Sequence, residues 1–484
     1  MYDLAIVGAG VIGSALAYTL SAYRLKVAVI ERENDVAMGA SRANTAIVHG
    51  GYDPKPSTLM GRLNVEGARR CFELCEKLDV EVRKTGSLVI ALDESDRPML
   101  DELYARGVAN GCSPMQILTG EEVRAMEPHL SEAVVGALYV PESGVINPWE
   151  LTLAMAEVAV RNGVELRLNE NVDDIERVGD RYDLTVSTPN GERRVISARY
   201  VVNAAGVESD HIHNMVAEPA FEIHPTRGEY YLLDRSIGPL VRHVIFQCPS
   251  AKGKGVTVSP TIHDNFLVGP NADVIADRTD TAVTREGLAY VAEAARRTIP
   301  ALPLGRSIRN FAGIRANSSY PDFYVKFAAP NFLDIAAIRS PGLTCAPAMA
   351  RHAKALLEAD GLVMTPKASF LDGRTVVRFK DLSEEERVSF VREYPSYGRV
   401  ICRCETITEG EILAAMAREI PPVSIDGVKR RCGTGMGRCQ GGFCGPRVME
   451  ILARERGVSP VSICQDGVGS RVLIAETKGG MRHA

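Results

Sequence analysis

Aromatic rings are scarce in this chain: its 484 residues hold 12 Phe, 15 Tyr and a single Trp. That scarcity argues against a base-stacking surface for single-stranded nucleic acid. A basic excess is also missing, because 56 Lys and Arg face 61 Asp and Glu for a net charge of −5. No positive stripe for a phosphate backbone follows from that balance, and no nucleic-acid partner is expected. Eleven cysteines are too few, and odd in number, for a disulfide scaffold. The 43 glycines and 26 prolines follow no collagen period, and no repeat of about 20–50 residues is present. Beyond the first twenty residues no apolar run approaches a membrane span. Those twenty, MYDLAIVGAGVIGSALAYTL, lack the basic n-region of a signal peptide and carry Asp3 early. A cytoplasmic protein is expected, with peripheral contact at the inner face of a membrane left open.

What is present begins at the same N-terminus. YDLAIV reads as a buried strand, Gly8-Ala9-Gly10-Val11-Ile12-Gly13 as a turn, SALAYTLSAY as a helix, and KVAVIE as a second strand ending in Glu31. Gly8 permits the tight turn, Gly10 lets backbone approach a pyrophosphate, and Gly13 lets helix and strand pack closely. The helix N-terminus offers free N–H groups to phosphates. Glu31 would accept from both ribose hydroxyls and repel a 2′-phosphate. Gly8, Gly10, Ile12, Gly13, Glu31 and Arg32 are therefore the expected dinucleotide contacts.

Further on, helical stretches (60–78, 97–109, 148–162) mix with β-rich ones (164–202, 227–233, 243–247, 254–270). RYVVNAAG ends in Ala205-Gly206 and looks like the return of the dinucleotide-binding chain to its sheet. A fingerprint completed so late implies interleaved segments. The expected fold is α/β with α+β insertions. A Rossmann-like domain (segments about 1–80, 145–215 and 325–365) is interleaved with a β-rich substrate domain (about 81–144 and 216–324). Residues 366–397 read as a polar connector holding a short helix capped by Ser383 and Glu386. A small, mainly helical domain over 398–457 and a tail over 458–484 follow.

The cysteines are uneven. Cys71, Cys75, Cys112, Cys248, Cys345 and Cys464 are scattered, as buried thiols in a reducing compartment are. Cys402-x-Cys404 and Cys439-x4-Cys444 form two close pairs beside predicted helices, the first capped by Thr408 and Glu411, the second opened by Gly445-Pro446. Four converging thiolates suit a [2Fe–2S] cluster or zinc. Beside a dinucleotide redox domain the cluster is the favoured expectation. Glycines near the second pair would free N–H groups for the sulfurs, and Lys429, Arg430, Arg431 and Arg438 would offset cluster charge. Cys432 reads as a bystander.

Together with SRANTAIVHGGYD, VVNAAG, FAGIRA and IRSPGLTCAPA, these motifs resemble the FAD-dependent glycerol-3-phosphate dehydrogenase/oxidase group of the D-amino-acid-oxidase superfamily. The C-terminal CRCETITEGEI and GMGRCQGGFC resemble the bacterioferritin-associated-ferredoxin-like [2Fe–2S] domain. The pairing is similar to the anaerobic A-subunit-like members. The resemblance implies FAD contacts at Ser41, Arg42, Asn44, Thr45, Val172, Ala205, Gly206, Ser340, Pro341, Gly342, Leu343 and Thr344. It implies His49 as the base beside the flavin, which an imidazole suits near neutrality. Arg315 is implied as the anchor of an anionic substrate, with Lys254 (or Lys252), Thr45 and Ser340 also touching it. Cys402, Cys404, Cys439 and Cys444 are implied as the cluster ligands.

The implied reaction is oxidation of sn-glycerol 3-phosphate to dihydroxyacetone phosphate, hydride passing to flavin N5 and electrons leaving through the cluster. L-2-hydroxyglutarate and secondary amino acids of the proline or sarcosine type are the rival substrates. A non-catalytic redox or iron-handling module is the rival of another class. An electron-accepting protein subunit, a flavin–NAD reductase or a quinone-linked protein, is the expected partner, in an oligomer or hetero-complex.

Overall fold

The structure, a computed structural model, describes residues 1–112, 114–249, 255–475 and 477. Two large sheets carry it. The first is parallel at its centre, in the order Asn171–Val178, Arg181–Ser187, Arg193–Asn203, Tyr2–Val7, Val27–Ile30, Glu165–Arg167. Phe332–Ala336 adds a further parallel partner to Arg193–Asn203, and Tyr324–Ala329 pairs with it in turn. Central strands such as Leu4, Ala5 and Ile6 are fully buried, as expected where helices cover both faces. The helices Val11–Leu20, Pro148–Arg161 and Gly342–Ala359 pack in one layer with this sheet.

The second sheet has nine strands and lies over the cleft side of the first. Its longest pairing is the antiparallel ribbon Ile223–Leu233 with Ser307–Ser318. Its strands come from residues 87–140 and 223–318, so the chain crosses between the sheets repeatedly. Val291 and Ala295 of the helix Arg285–Thr298, with Ile299 just past its end, close its far side.

The C-terminal unit holds a short ribbon (Val400–Cys402 with Ile407–Thr408) and the helices Glu409–Met416, Ile425–Cys432 and Gly445–Arg456. Thr408 and Glu411 form the expected capping box, and Gly457 ends the last helix with φ 63°. Ile412, Val428, Val448 and Leu452 make its own small core.

Residues 366–397 do more than connect. Lys367 Nζ donates to Ser21 O at 2.9 Å, and buried Arg374 pairs with Glu157 at 2.8 Å. Arg378 reaches Asp79 at 2.7 Å and Glu150 at 3.0 Å. The segment is thus held along the first domain by cations on buried carboxylates. The capping box of Ser383 and Glu386 is present on Glu384–Glu393.

One buried ion network binds the C-terminal unit to the first domain. Asp35, 1% exposed, takes two bonds from Arg431 at 2.8 Å and one from Arg430 at 2.9 Å. Arg430 also reaches Asp466 at 2.8 Å, and Asp466 pairs with Arg42. These arginines were expected as counter-charges for a cluster; instead they are domain fasteners. Burial alone would raise the Asp35 carboxyl, but Arg431 and Arg430 more than reverse this and hold it below the usual range. Asp35→Asn leaves two arginines short of their counter-ion in a dry interface. Such losses cost about 3–5 kcal/mol. The expected outcome is a lower melting temperature and protease cleavage within 366–397, both measurable on the purified chain. Because the Asp35 pKa is depressed, its contribution is present above the ordinary value of about 3.9 and is lost as pH falls below it. Wild-type melting should therefore fall more steeply with acid than that of the Asn variant.

Candidate active site and thiol centre

Between the two sheets lies a cleft of about 1240 Å³. Ligand pockets commonly hold about 300–1,000 Å³, so this one has room for a dinucleotide and a small substrate together.

The glycine turn forms one end. Gly8 has φ +103°, and a Cβ there would lie 2.6 Å from Ala204 O. Gly13 packs its α-carbon on the same turn, where a Cβ would meet Gly8 O at 1.9 Å. Gly13 thus sits behind the wall, whereas Gly8, Gly10 and Ile12 line the cleft. Ser41 Oγ accepts from Val11 N–H at 2.9 Å, securing the helix start. Glu31 also lines the cleft and accepts from Ala9 N–H at 2.7 Å and from Glu33 N–H at 3.0 Å. Burial pushes its carboxyl up, opposed by those two N–H donors. Each carboxylate oxygen keeps lone-pair capacity for a ribose hydroxyl.

Arg32, Ser41, Arg42, Asn44, Thr45, Val172, Ala205 and Gly206 reach the same cleft. Two of them differ from expectation in what their side chains do. Arg42 is committed to Asp466 of the C-terminal segment. Asn44 folds back, donating to Ala40 O and Ser41 O and accepting from Ala46 N–H at 2.7 Å. Ser340, Pro341, Gly342 and Leu343 open the helix Gly342–Ala359 on the cleft. Thr344 stands behind them. Its hydroxyl accepts from His49 N–H at 3.0 Å and reaches Ile47 O at 3.3 Å.

His49 is thereby fixed by two elements, since Asn64 Nδ2 also donates to its carbonyl at 2.7 Å. Its ring lies 5.7 Å from that of Phe246, and Nε2 stands 3.4 Å from Ser340 Oγ. Arg315 extends from the ribbon strand Ser307–Ser318 into the cleft and touches Asn271 O at 3.3 Å. It lies across Gly228 of the paired strand, where a Cβ would sit 2.6 Å from Nη2 and 2.8 Å from Pro270 Cβ. Gly228 was not legible as a site residue; its role comes from a cross-strand neighbour. Lys254 and Lys252 lie outside the described residues.

The C-terminal unit supplies part of the same wall. Asp426, Lys429, Arg430, Met436, Gln440 and Asp466 line the cleft. Burial pushes the Lys429 ammonium down to about 8. Arg438, expected near the thiols as a counter-charge, bonds Asp234 of the second sheet at 2.8 Å.

The four thiols of that unit stand as two pairs. Cys404 Sγ and Cys439 Sγ are 3.8 Å apart. Two thiolates on one tetrahedral metal with bonds of about 2.3 Å have that separation. Cys402 and Cys444 act on each other: the Cys444 thiol pulls Cys402 down to about 6, and Cys402 drives Cys444 up. Among the described residues no group of three or more His, Cys, Asp or Glu is placed to hold a metal ion. The backbone at Phe443 and Gly441 helps hold the Cys439 thiol below its usual range, and the backbone at Gly435 acts on Cys402 in the same sense. Gly437 is required by Cys404, whose Cβ lies 2.2 Å from where a Cβ on Gly437 would be. Cys432 turns back on its own helix, toward Val428 O at 3.3 Å, and burial pushes its thiol up to about 12.

A glycine turn with its acid, a histidine and an arginine on one cleft, and a paired-thiol unit against it define a dinucleotide-dependent oxidoreductase with a second redox centre. The chain belongs to the family of FAD dependent oxidoreductases (DAO), whose model matches residues 3–356. Residues 400–454 match the BFD-like [2Fe–2S] binding domain. FAD and a [2Fe–2S] cluster are accordingly its cofactors, and zinc is set aside. Over 481 residues, 99% of each chain, it is 46% identical to a glycerol 3-phosphate dehydrogenase of Caloramator mitchellensis. It is 30% identical to the mitochondrial L-2-hydroxyglutarate dehydrogenase of Mus musculus over 55% of this chain and 60% of that one. The dithionite-reduced, FAD-bound L-alpha-glycerophosphate oxidase of Mycoplasma pneumoniae superposes with a TM-score of 0.72 at 32% identity, covering 78% of this chain and 98% of that one. Among the described residues no helix is long and apolar enough to cross a membrane.

Two substitutions test the geometry. Gly228→Ala must displace the Arg315 guanidinium, and we expect KM for an anionic substrate to rise about tenfold, the equivalent of one charged hydrogen bond, with FAD content unchanged. Cys439→Ser should remove the iron–sulfur absorbance and the bound iron while flavin absorbance is retained.

Proposed function

We propose that the chain oxidises the secondary alcohol of sn-glycerol 3-phosphate to the ketone of dihydroxyacetone phosphate and delivers the electrons to its own [2Fe–2S] cluster. The observation that carries this reading is the 46% identity over both units to a chain named glycerol 3-phosphate dehydrogenase. The cleft's residues support it.

Arg315 presents a planar fork to a phosphate, and Asn271 O and Gly228 hold that fork in the cleft. The C2 hydroxyl is then set against His49, whose Nε2 takes the hydroxyl proton as the C2–H bond breaks. Thr344 and Asn64 fix the His49 backbone, so orientation costs little at the moment of reaction. Ser340 Oγ, beside Nε2, and Thr45 supply hydrogen bonds to the substrate oxygens. Bound FAD would supply the acceptor for the electron pair released at C2 and the conversion from two-electron to one-electron transfer. Cys404 with Cys439, and Cys402 with Cys444, would each hold one iron of that cluster.

Anaerobic dye-reduction assays decide the substrate. The rate with sn-glycerol 3-phosphate should exceed the rates with L-2-hydroxyglutarate and L-proline. A higher rate with either of those overturns the assignment. His49→Gln should lower flavin reduction about 10²–10⁴-fold, the range for loss of a general base, with FAD content unchanged.

A further inference from the structure

The thiol centre has an inner and an outer side. Met436 and Gln440, on the loop that carries Cys439, line the flavin cleft. Cys402 and Cys444 are buried, Cys404 is half-buried and Cys439 is exposed. The outer side is thus marked by Cys439 and by the loop between it and Cys444. On that loop Phe443 is 58% exposed. Large apolar side chains scattered singly over a surface need no explanation. Phe443 differs by its place between two cluster ligands, and by the Arg403 guanidinium stacked 4.9 Å from its ring centre.

The solvent-facing charge around it is mainly basic. Arg403, Arg438 and Arg447 are exposed on the two cysteine loops and the helix that follows. Arg235 joins them from the second sheet, reaching Cys404 O at 2.6 Å. The acids of this region, Asp234 and Glu405, lie largely buried beneath Arg438 and Arg235. Glu450, paired with Arg447, is the exposed exception. In a chain of net charge −5, this face is a local inversion.

We propose that the face built from Phe443, Arg403, Arg438 and Arg447 docks an electron-accepting protein whose own redox centre is rimmed by acidic side chains. The inference rests on the reading that electrons leave through the cluster. An exposed aromatic with arginines is the composition that concentrates binding energy in protein interfaces. Electron-transfer encounters are small in area, so charge sets which partner arrives and how fast. An acidic rim meets Arg403 directly and adds a second acid to the arginines already paired with Asp234, Glu405 and Glu450, whereas a basic rim is repelled. One electron passes from the reduced cluster to the oxidised partner, and no atom is transferred.

The test uses the holoenzyme, reduced anaerobically with sn-glycerol 3-phosphate, and two protein probes: plastocyanin, which is acidic, and cytochrome c, which is basic. Stopped-flow rates at low salt should favour plastocyanin about tenfold or more, within the range of electrostatic steering. Raising ionic strength from about 0.01 to 1 M shrinks the Debye length from about 30 to 3 Å and should erase most of that preference. Arg403→Glu and, separately, Arg447→Glu on the exposed helix turn should lower the plastocyanin rate and raise the cytochrome c rate. Phe443→Ala should lower the plastocyanin rate at every salt concentration. Flavin bleaching by substrate should be unchanged in all three variants. Binding is read independently by fluorescence anisotropy of labelled, redox-inert cadmium plastocyanin, which Arg403→Glu and Arg447→Glu should weaken in parallel. Faster reduction of cytochrome c, or variants that leave both rates and the anisotropy unchanged, would overturn the proposal. If substrate fails to bleach the flavin, the substrate reading falls instead, and the same comparison is run on dithionite-reduced protein.

Discussion

Asp35 is the residue on which the two-cofactor arrangement depends. It lies shortly after Glu31, where the second strand of the dinucleotide fold has ended, and it holds Arg430 and Arg431 of the C-terminal unit in a dry interface. Removing two guanidinium groups and a carboxylate from water is costly, so such a network specifies a docking geometry more than it adds net stability. Arg431 is fully engaged: it forks onto Asp35 and its Nε donates to Ile420 O at 2.9 Å, whereas Arg430 Nε is buried without a hydrogen-bond partner among the described residues. Arg430 extends the network through Asp466 to Arg42, which places the C-terminal segment at the lip of the cleft.

From that docking follows the shape of the cleft. Lys429, Met436 and Gln440 become part of its wall because the helix Ile425–Cys432 is fixed by its two arginines. The loop bearing Cys439 then faces the cleft with Met436 and Gln440 and faces solvent with Phe443. On the substrate side the constraint is different. His49 is held by backbone bonds to Thr344 and Asn64, and Arg315 is held by what Gly228 lacks. Hydrogen bonds to the His49 backbone on one side, and on the other a missing side chain with a bond from Arg315 to Asn271 O, hold these two residues in the cleft.

What the sequence disclosed is what is local. The glycine turn, the capping boxes at Thr408 and Ser383, and the spacings Cys402-x-Cys404 and Cys439-x4-Cys444 are each written within a few residues and have a mechanism readable at that range; the thiols that stand together, such as Cys404 and Cys439, come from different loops. The helix Gly342–Ala359 was hidden by Pro347 inside it and by the small residues of its first turn. Ile425–Cys432 is short and has three consecutive cations in its last turn, so it read as a charged patch. Arg430 and Arg431 were misassigned because their partner, Asp35, is hundreds of residues away; Arg438 stays beside the thiols, and its pairing with the distant Asp234 was hidden for the same reason. Gly228 was silent for the same reason: only strand pairing puts it under Arg315. The connector concealed its role too, since Arg374 and Arg378 find Glu157, Glu150 and Asp79 only in the folded chain.

In the proposed reaction one chain carries electrons from the alcohol carbon to its own iron–sulfur centre. The most direct measurement is an anaerobic titration of the holoenzyme with sn-glycerol 3-phosphate, followed together by visible absorbance and by electron paramagnetic resonance at low temperature. The account predicts that flavin bleaching is accompanied by the signal of a reduced [2Fe–2S] cluster, rising with each addition until substrate is in excess. A flavin bleached by substrate while the cluster stays oxidised and silent would contradict it.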